Sequence, residues 1–216
     1  MSAAERAFRE DQFTSGRYTI VAYAREVQSF DLKTGRPILE PVASELETSA
    51  LATSGITNLT ITISVAFDNG VPCCRWNIID WFDWTGTPPV NGSGKDQIAT
   101  AWANGQALES DSAYGVYTNG ANIPMNRNTM TPNAGVGWEF NECNAAYCNS
   151  YANWGYLAAG MYWPTRRNQP TNVVYTYFHT YQSQTYYVGV SGTGPSITIT
   201  PTSSVMPTSV YTSFTN

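Results

Sequence analysis

Leu59, Ile61, Ile63, Val65 and Phe67 alternate with Thr60, Thr62, Ser64, Ala66 and Asp68. A period of two with apolar residues on one face is the pattern of a half-buried antiparallel strand. Such a segment needs neighbouring strands and an apolar layer beneath it, and this requirement constrains the fold more than any other feature of the chain. Asn69-Gly70 follows and suits a type I′ hairpin, whose two central residues need positive φ. Beyond this turn lies Val71–Trp84, which carries Cys73 and Cys74 together with Trp76, Trp81 and Trp84. A second aromatic, acidic, cysteine-bearing stretch, Trp138–Cys148, is expected to meet the first in the fold.

Strand signals recur along the chain. Arg17–Ala24 is rich in β-branched and aromatic residues, and Asp31–Pro37 is a Gly/Pro-punctuated turn. Val173–Tyr181 and Thr185–Val190 read as a hairpin pair, and Ser196–Thr200 and Ser209–Phe214 continue the alternation. Tyr156–Trp163 is apolar and aromatic and ends at Pro164, while Asn119–Gly137 reads as a long loop. Helical signals are few. Ser2-Ala3-Ala4-Glu5 has capping-box form ahead of a short helix or solvated arm, and Ala43–Ala52 is helix or loop. Asp96 reads as the cap of a short helix through Ile98, Ala101, Trp102 and Leu108, weakened by Gly105. The fold class is therefore all-β: an antiparallel β-sandwich or open barrel with long aromatic-rich loops and at most one or two short helices. Residues 1–16 are an arm or short helix, and residues 17–216 a single sandwich domain.

Charged residues make up only 12% of the 216, and the net charge is −5. No basic run exceeds Arg166-Arg167, which excludes the clustered Lys and Arg of a nucleic-acid binder. No apolar run is long enough for a membrane-spanning helix. Met1–Arg6 leads into charge with no apolar run behind it, the start of a mature exported chain or of a protein not exported by a signal peptide. No Walker loop, dinucleotide fingerprint or calcium loop occurs, so no cofactor is expected.

Cys73, Cys74, Cys143 and Cys148 allow three pairings. Neighbouring strand residues point to opposite faces, which favours two long-range bridges from Cys73 and Cys74 to Cys143 and Cys148. Each would close a loop of roughly 70 residues and contribute about 4 kcal/mol. A four-cysteine zinc site is the rival, but adjacent cysteines do not fit its usual spacing. Disulfides in turn point to a secreted or extracellular protein.

His179 is the only histidine and lies mid-strand, with no Gly-x-Ser-x-Gly elbow anywhere. It reads as a hydrogen-bonded or partly exposed strand residue, and a lone histidine argues against a histidine-rich metal site. Asp80, Asp83, Glu139 and Glu142 stand among aromatic residues, the material of a glycosidase carboxylate pair, although Asp80 and Asp83 would face opposite sides of a strand. Trp81, Trp84, Tyr114, Tyr117, Trp138, Tyr147 and Trp154 are the candidates for an exposed aromatic binding face. Asn58-Leu59-Thr60 and Asn91-Gly92-Ser93 match the glycosylation acceptor pattern. The sequence thus points to a non-catalytic module for a glycan or another cell-surface ligand. A two-carboxylate hydrolase is the first alternative and a self-assembling structural subunit the second.

Overall fold

The computed structural model describes residues 16–34, 36–38, 55–71, 75–89, 95–143, 148–162, 168–180, 187–191, 195–200 and 205–215. Among them are twelve strands and no helix: β1 (Tyr18–Asp31), β2 (Ile56–Asp68), β3 (Arg75–Thr85), β4 (Lys95–Trp102), β5 (Ala107–Tyr117), β6 (Met125–Thr131), β7 (Gly135–Asn141), β8 (Ala152–Tyr162), β9 (Pro170–Thr180), β10 (Tyr187–Ser191), β11 (Ser196–Thr200) and β12 (Val205–Thr215). Two five-stranded antiparallel sheets, ordered β1-β2-β3-β8-β5 and β12-β9-β4-β7-β6, face one another as an all-β sandwich. The expected helix at Ala3–Asp11 and the ambiguous Ala43–Ala52 lie outside the described residues.

The alternation in residues 59–67 does what it requires. Leu59, Ile61, Ile63 and Val65 are fully buried between the sheets. Thr62 and Ser64 on the other face are also buried, which the half-buried reading did not anticipate. Thr62 stands in register between Arg25 and Trp81, whose larger side chains flank it. The Asn69-Gly70 link is not a type I′ turn, since neither residue has positive φ. The Phe67↔Trp76 register leaves a longer loop between β2 and β3, and the Asp68 carboxylate organises it. Asp68 accepts from the Gly70 amide at 2.9 Å and from the Arg17 guanidinium at 3.2 Å. Asn104-Gly105, between β4 and β5, takes the paired positive φ instead, 68° and 65°.

Three further expectations change. The predicted helix from Asp96 is β4, an interior strand whose residues from Asp96 to Trp102 are all buried. Asn119–Gly137 contains β6 and the start of β7. β9 pairs with β12 and β4, not with β10, which forms its own ribbon with β11. Ile197 of that ribbon packs on Ala99, Phe178 and Val205, covering part of the second sheet's outer face.

The two aromatic segments do meet, through the core. Phe82 of β3 stacks on Phe140 of β7 across the sandwich, with centroids 5.4 Å apart and planes 9° apart. The sulfur atoms do not join them. Cys143 bonds to Cys148, so neither can bridge to Cys73 or Cys74, which lie outside the described residues. The bridge ties off the loop between β7 and β8, which also carries the Ala152 amide to Glu142 carbonyl hydrogen bond of 2.7 Å.

Candidate functional site

β3 distributes its side chains by parity, and the candidate residues divide accordingly. Trp76, Ile78, Asp80, Phe82 and Trp84 turn inward; Ile79, Trp81 and Asp83 turn outward. The register aligns Thr62, Trp81, Tyr156 and Tyr114 in one row across β2, β3, β8 and β5. Trp154 stands in the next row, opposite Asp83 and Val116. The four rings make one cluster: Trp81 lies 5.1 Å from Tyr156 and 6.1 Å from Trp154, and Tyr114 lies 5.8 Å from each of Tyr156 and Trp154. Trp81 and Trp154 form its floor, 2% and 8% exposed, while Tyr114 and Tyr156 are half-buried. At the far edge of the same face Tyr23 is 50% exposed.

Of the seven aromatic candidates, Trp81, Tyr114 and Trp154 therefore come together. Trp84 and Tyr117 are core residues; Tyr117 donates to the Asn141 carbonyl at 3.0 Å. Trp138 packs partly buried against the core and donates its indole N–H to Asp111 at 3.1 Å. Tyr147 lies outside the described residues. Tyr156 completes the cluster; it is not among the seven candidates, and it opens the segment read from the sequence only as apolar and aromatic.

The four candidate carboxylates are dispersed. Asp80 is buried in the core, and Asp83 lies on the opposite face of the same strand, as their spacing requires. Glu139 pairs with Lys95. Glu142, just beyond β7, is buried at one end of the sandwich. Burial drives the Asp80 carboxyl well above the usual carboxylate range. Nearby Thr100 offsets this little, because its hydroxyl donates to the Val174 carbonyl at 3.2 Å.

Glu142 instead joins Asp96 and His179, a cluster that reading β4 as a helix had concealed. The Gln97↔Phe178 register brings Asp96 alongside His179. Asp96 Oδ1 accepts from the Thr180 amide at 2.9 Å, and Oδ2 accepts from the Tyr177 hydroxyl at 2.5 Å. The Trp84 indole donates to the same hydroxyl at 3.3 Å. His179 is fully buried, with Phe30 and Trp84 packed edgewise against its ring. Its Nε2 lies 3.1 Å from the Pro89 carbonyl. Its Nδ1 lies 3.4 Å from both Asp96 Oδ2 and Glu142 Oε1. Burial opposes a charged imidazole, but Glu142 and Asp96 more than offset it and raise His179 to about 9. Burial and the Asp96 charge push Glu142 well up. The sequence reading of His179 as a hydrogen-bonded strand residue thus holds, in a fully buried position.

Fold and sites together define a two-layer antiparallel β-sandwich with an aromatic outer face and a buried acid–imidazole cluster at one end. No protein-family model matches the chain, and no curated protein matches it. Among solved structures, the chain is similar to a pore forming protein at 6% identity, covering 90% of this chain and 94% of that one, with a TM-score of 0.36. A structure described as pH-induced modulation of Streptococcus parasanguinis adhesion by Fap1 fimbriae matches at 7% identity over 90% and 95%, TM-score 0.33. The KRT10-binding region domain of the pneumococcal serine rich repeat protein PsrP matches at 11% identity over 72% and 86%, TM-score 0.29. Likeness at this level carries no argument about function.

Proposed function

We propose that the chain is an exported, non-catalytic binding module whose ligand face is the outer surface of β3, β8 and β5. The observation that carries this reading is the in-register row of Trp81, Tyr156 and Tyr114, flanked by Trp154, on rigid neighbouring strands. Aromatic rings on a sheet offer stiff apolar surface with polar tips, at low entropic cost on binding. Tyr114 and Tyr156 form the accessible rim, with Asp83 and Thr60 beside them as half-buried polar groups. A face of this composition suits a glycan or another polar cell-surface ligand. The Cys143–Cys148 bond fits an oxidising compartment and so supports export.

The hydrolase reading has less support, because Asp80, Asp83, Glu139 and Glu142 are divided between the core, two outer faces and one sandwich end. Self-assembly is favoured by one observation. β1 is the 14-residue terminal strand of its sheet, with Ile20, Val21, Tyr23 and Val27 exposed. Light scattering across a concentration series tests it; a monomer throughout removes it.

The binding test is a glycan array followed by titration of the best hit. Tyr114→Ala and Tyr156→Ala, each checked for folding by circular dichroism, should weaken binding about tenfold, as loss of a contact worth roughly 1.4 kcal/mol. Undiminished affinity in both variants would refute the assigned face.

A further inference from the structure

We propose that Asp96, Glu142 and His179 are the protein ligands of one divalent transition-metal ion, of the zinc class, held inside one end of the sandwich. This inference is independent of the ligand face on the outer sheet.

The argument starts from the imidazole. The Pro89 carbonyl can only accept a hydrogen bond, so the 3.1 Å contact assigns a proton to His179 Nε2. Nδ1 then faces two carboxylate oxygens, Asp96 Oδ2 and Glu142 Oε1, each at 3.4 Å. A lone pair aimed at two acceptors is unfavourable in a dry interior, so the space between them must hold a proton or a cation.

Three features favour the cation. The Glu142 side chain is nine-tenths buried, and its Oε1, aimed into the cluster, accepts no hydrogen bond. The one donor atom offered by each residue lies within 4.8 Å of the other two. Zinc–nitrogen and zinc–oxygen distances of about 2.0–2.1 Å imply tetrahedral ligand–ligand edges of about 3.4 Å, the spacing of both contacts to Nδ1. An ion between the two carboxylates would also draw them together.

The surrounding groups fix the three side chains in place, as the hydrogen-bond partners of metal ligands do. Nε2–H donates to a backbone carbonyl, which fixes the tautomer and ring orientation. Thr180 N–H and the Tyr177 hydroxyl fix both oxygens of Asp96. The Ala152 amide and the neighbouring Cys143–Cys148 bond anchor the backbone at Glu142. A lone histidine argued against a histidine-rich centre; a set of one imidazole and two carboxylates needs no second one.

The test uses tag-free, full-length protein stripped with EDTA and titrated with Zn2+ at pH 7. One equivalent should bind with a dissociation constant at or below the micromolar range and raise the melting midpoint. Glu142→Gln, which preserves size, should weaken Zn2+ binding at least tenfold. Because the chain has a single histidine, wild-type protein labelled with 15N supplies a second readout that needs no variant. Zn2+ should move the Nδ1 resonance in slow exchange while Nε2 stays protonated. If both ring nitrogens remain protonated in saturating Zn2+, the cluster holds a proton only and the proposal fails. It fails equally if Zn2+ binds folded Glu142→Gln as tightly as wild type, since the ion would then sit elsewhere.

Discussion

Asp80→Asn should convert a pH-dependent loss of stability into a pH-independent one. Asp80 is fully buried on the inward face of β3, in register between Ile63 and Leu157. Among the described residues neither carboxylate oxygen accepts a hydrogen bond, the nearby Thr100 hydroxyl donating to the Val174 carbonyl instead. Desolvation is the leading cause of its raised pKa, so the folded chain keeps the carboxyl protonated where the unfolded chain has already ionised. A raised acid contributes stability that is fully present below the unfolded pKa of about 3.9 and falls as pH climbs towards the folded value. The slope is about 1.4 kcal/mol per pH unit for one proton. Wild type should therefore lose stability through this residue as pH rises above about 4, until the folded carboxyl itself ionises. Asparagine keeps the volume and removes the titration. Urea unfolding of both proteins at half-unit pH steps, with equal m-values, gives the difference directly, and other titrating groups cancel in it. The stability of Asp80→Asn relative to wild type should rise from about pH 4, by up to about 1.4 kcal/mol per unit, and level off only where the folded carboxyl ionises. A difference that is flat in pH, or that favours wild type as pH rises, would mean an ionised and paired Asp80 and would refute the reasoning.

In metal-free protein, the raised pKa of His179 gives stability fully present below about 6.5 and lost as pH rises to about 9, roughly 3 kcal/mol in all. Urea midpoints in the Asp80→Asn background should fall through that window, and an NMR titration of the single imidazole should give the same pKa; a value near 6.5 would contradict the Glu142 and Asp96 contacts. Gly155→Ala should be severely destabilising, by more than about 3 kcal/mol, as strong overpacking against backbone is. A Cβ there would lie 2.5 Å from the Phe82 ring and 2.6 Å from the Tyr114 carbonyl; a melting point within a few degrees of wild type would show that the Phe82–Phe140 stack is not held as described. Cys143→Ser with Cys148→Ser should cost about 2 kcal/mol in chemical denaturation, because the bond spans only five positions. A loss near 4 kcal/mol would be the signature of a long-range bridge instead.

What could be read from the sequence, and what could not, follows from how each strand is buried. β2 and β9 announced themselves because their β-branched and aromatic residues alternate or cluster between turn signals. β4 did not. Its residues from Asp96 to Trp102 are buried on both faces, so no polar face remains to mark the period of two, and Ala, Gln and Thr read equally well as a helix. That one error hid the acid–imidazole cluster, since only a strand places Asp96 on the inward face with Ile98 and Trp102. β6, Met-Asn-Arg-Asn-Thr-Met-Thr, is mostly exposed and carries no apolar alternation at all. Disulfide partners depend on loop geometry that spacing does not encode, which is why Cys143 was assigned a distant partner. Asn58 matches an acceptor triplet, yet it is buried and bonded to the Ser29 hydroxyl at 2.7 Å, where no glycan could attach to the folded chain.

The division of labour between the two candidate sites is a consequence of strand parity. On β3, odd positions bring Trp81 and Asp83 to the outer face, and even positions send Asp80 and Trp84 into the core. A one-residue slip of β3 would exchange these sets, exposing Phe82 and Trp84 while burying Asp83. Such a slip would break the Phe82–Phe140 stack and the Trp84–Tyr177 hydrogen bond together. Those core contacts therefore fix the register that aligns Trp81 with Tyr156. The buried end and the outer row are coupled through one strand, so a variant that loosens the Trp84–Tyr177–Asp96 chain should disturb ligand binding on a face it never touches. Tyr177→Phe removes only the hydroxyl that links Trp84 to Asp96, and it separates coupling through register from direct contact.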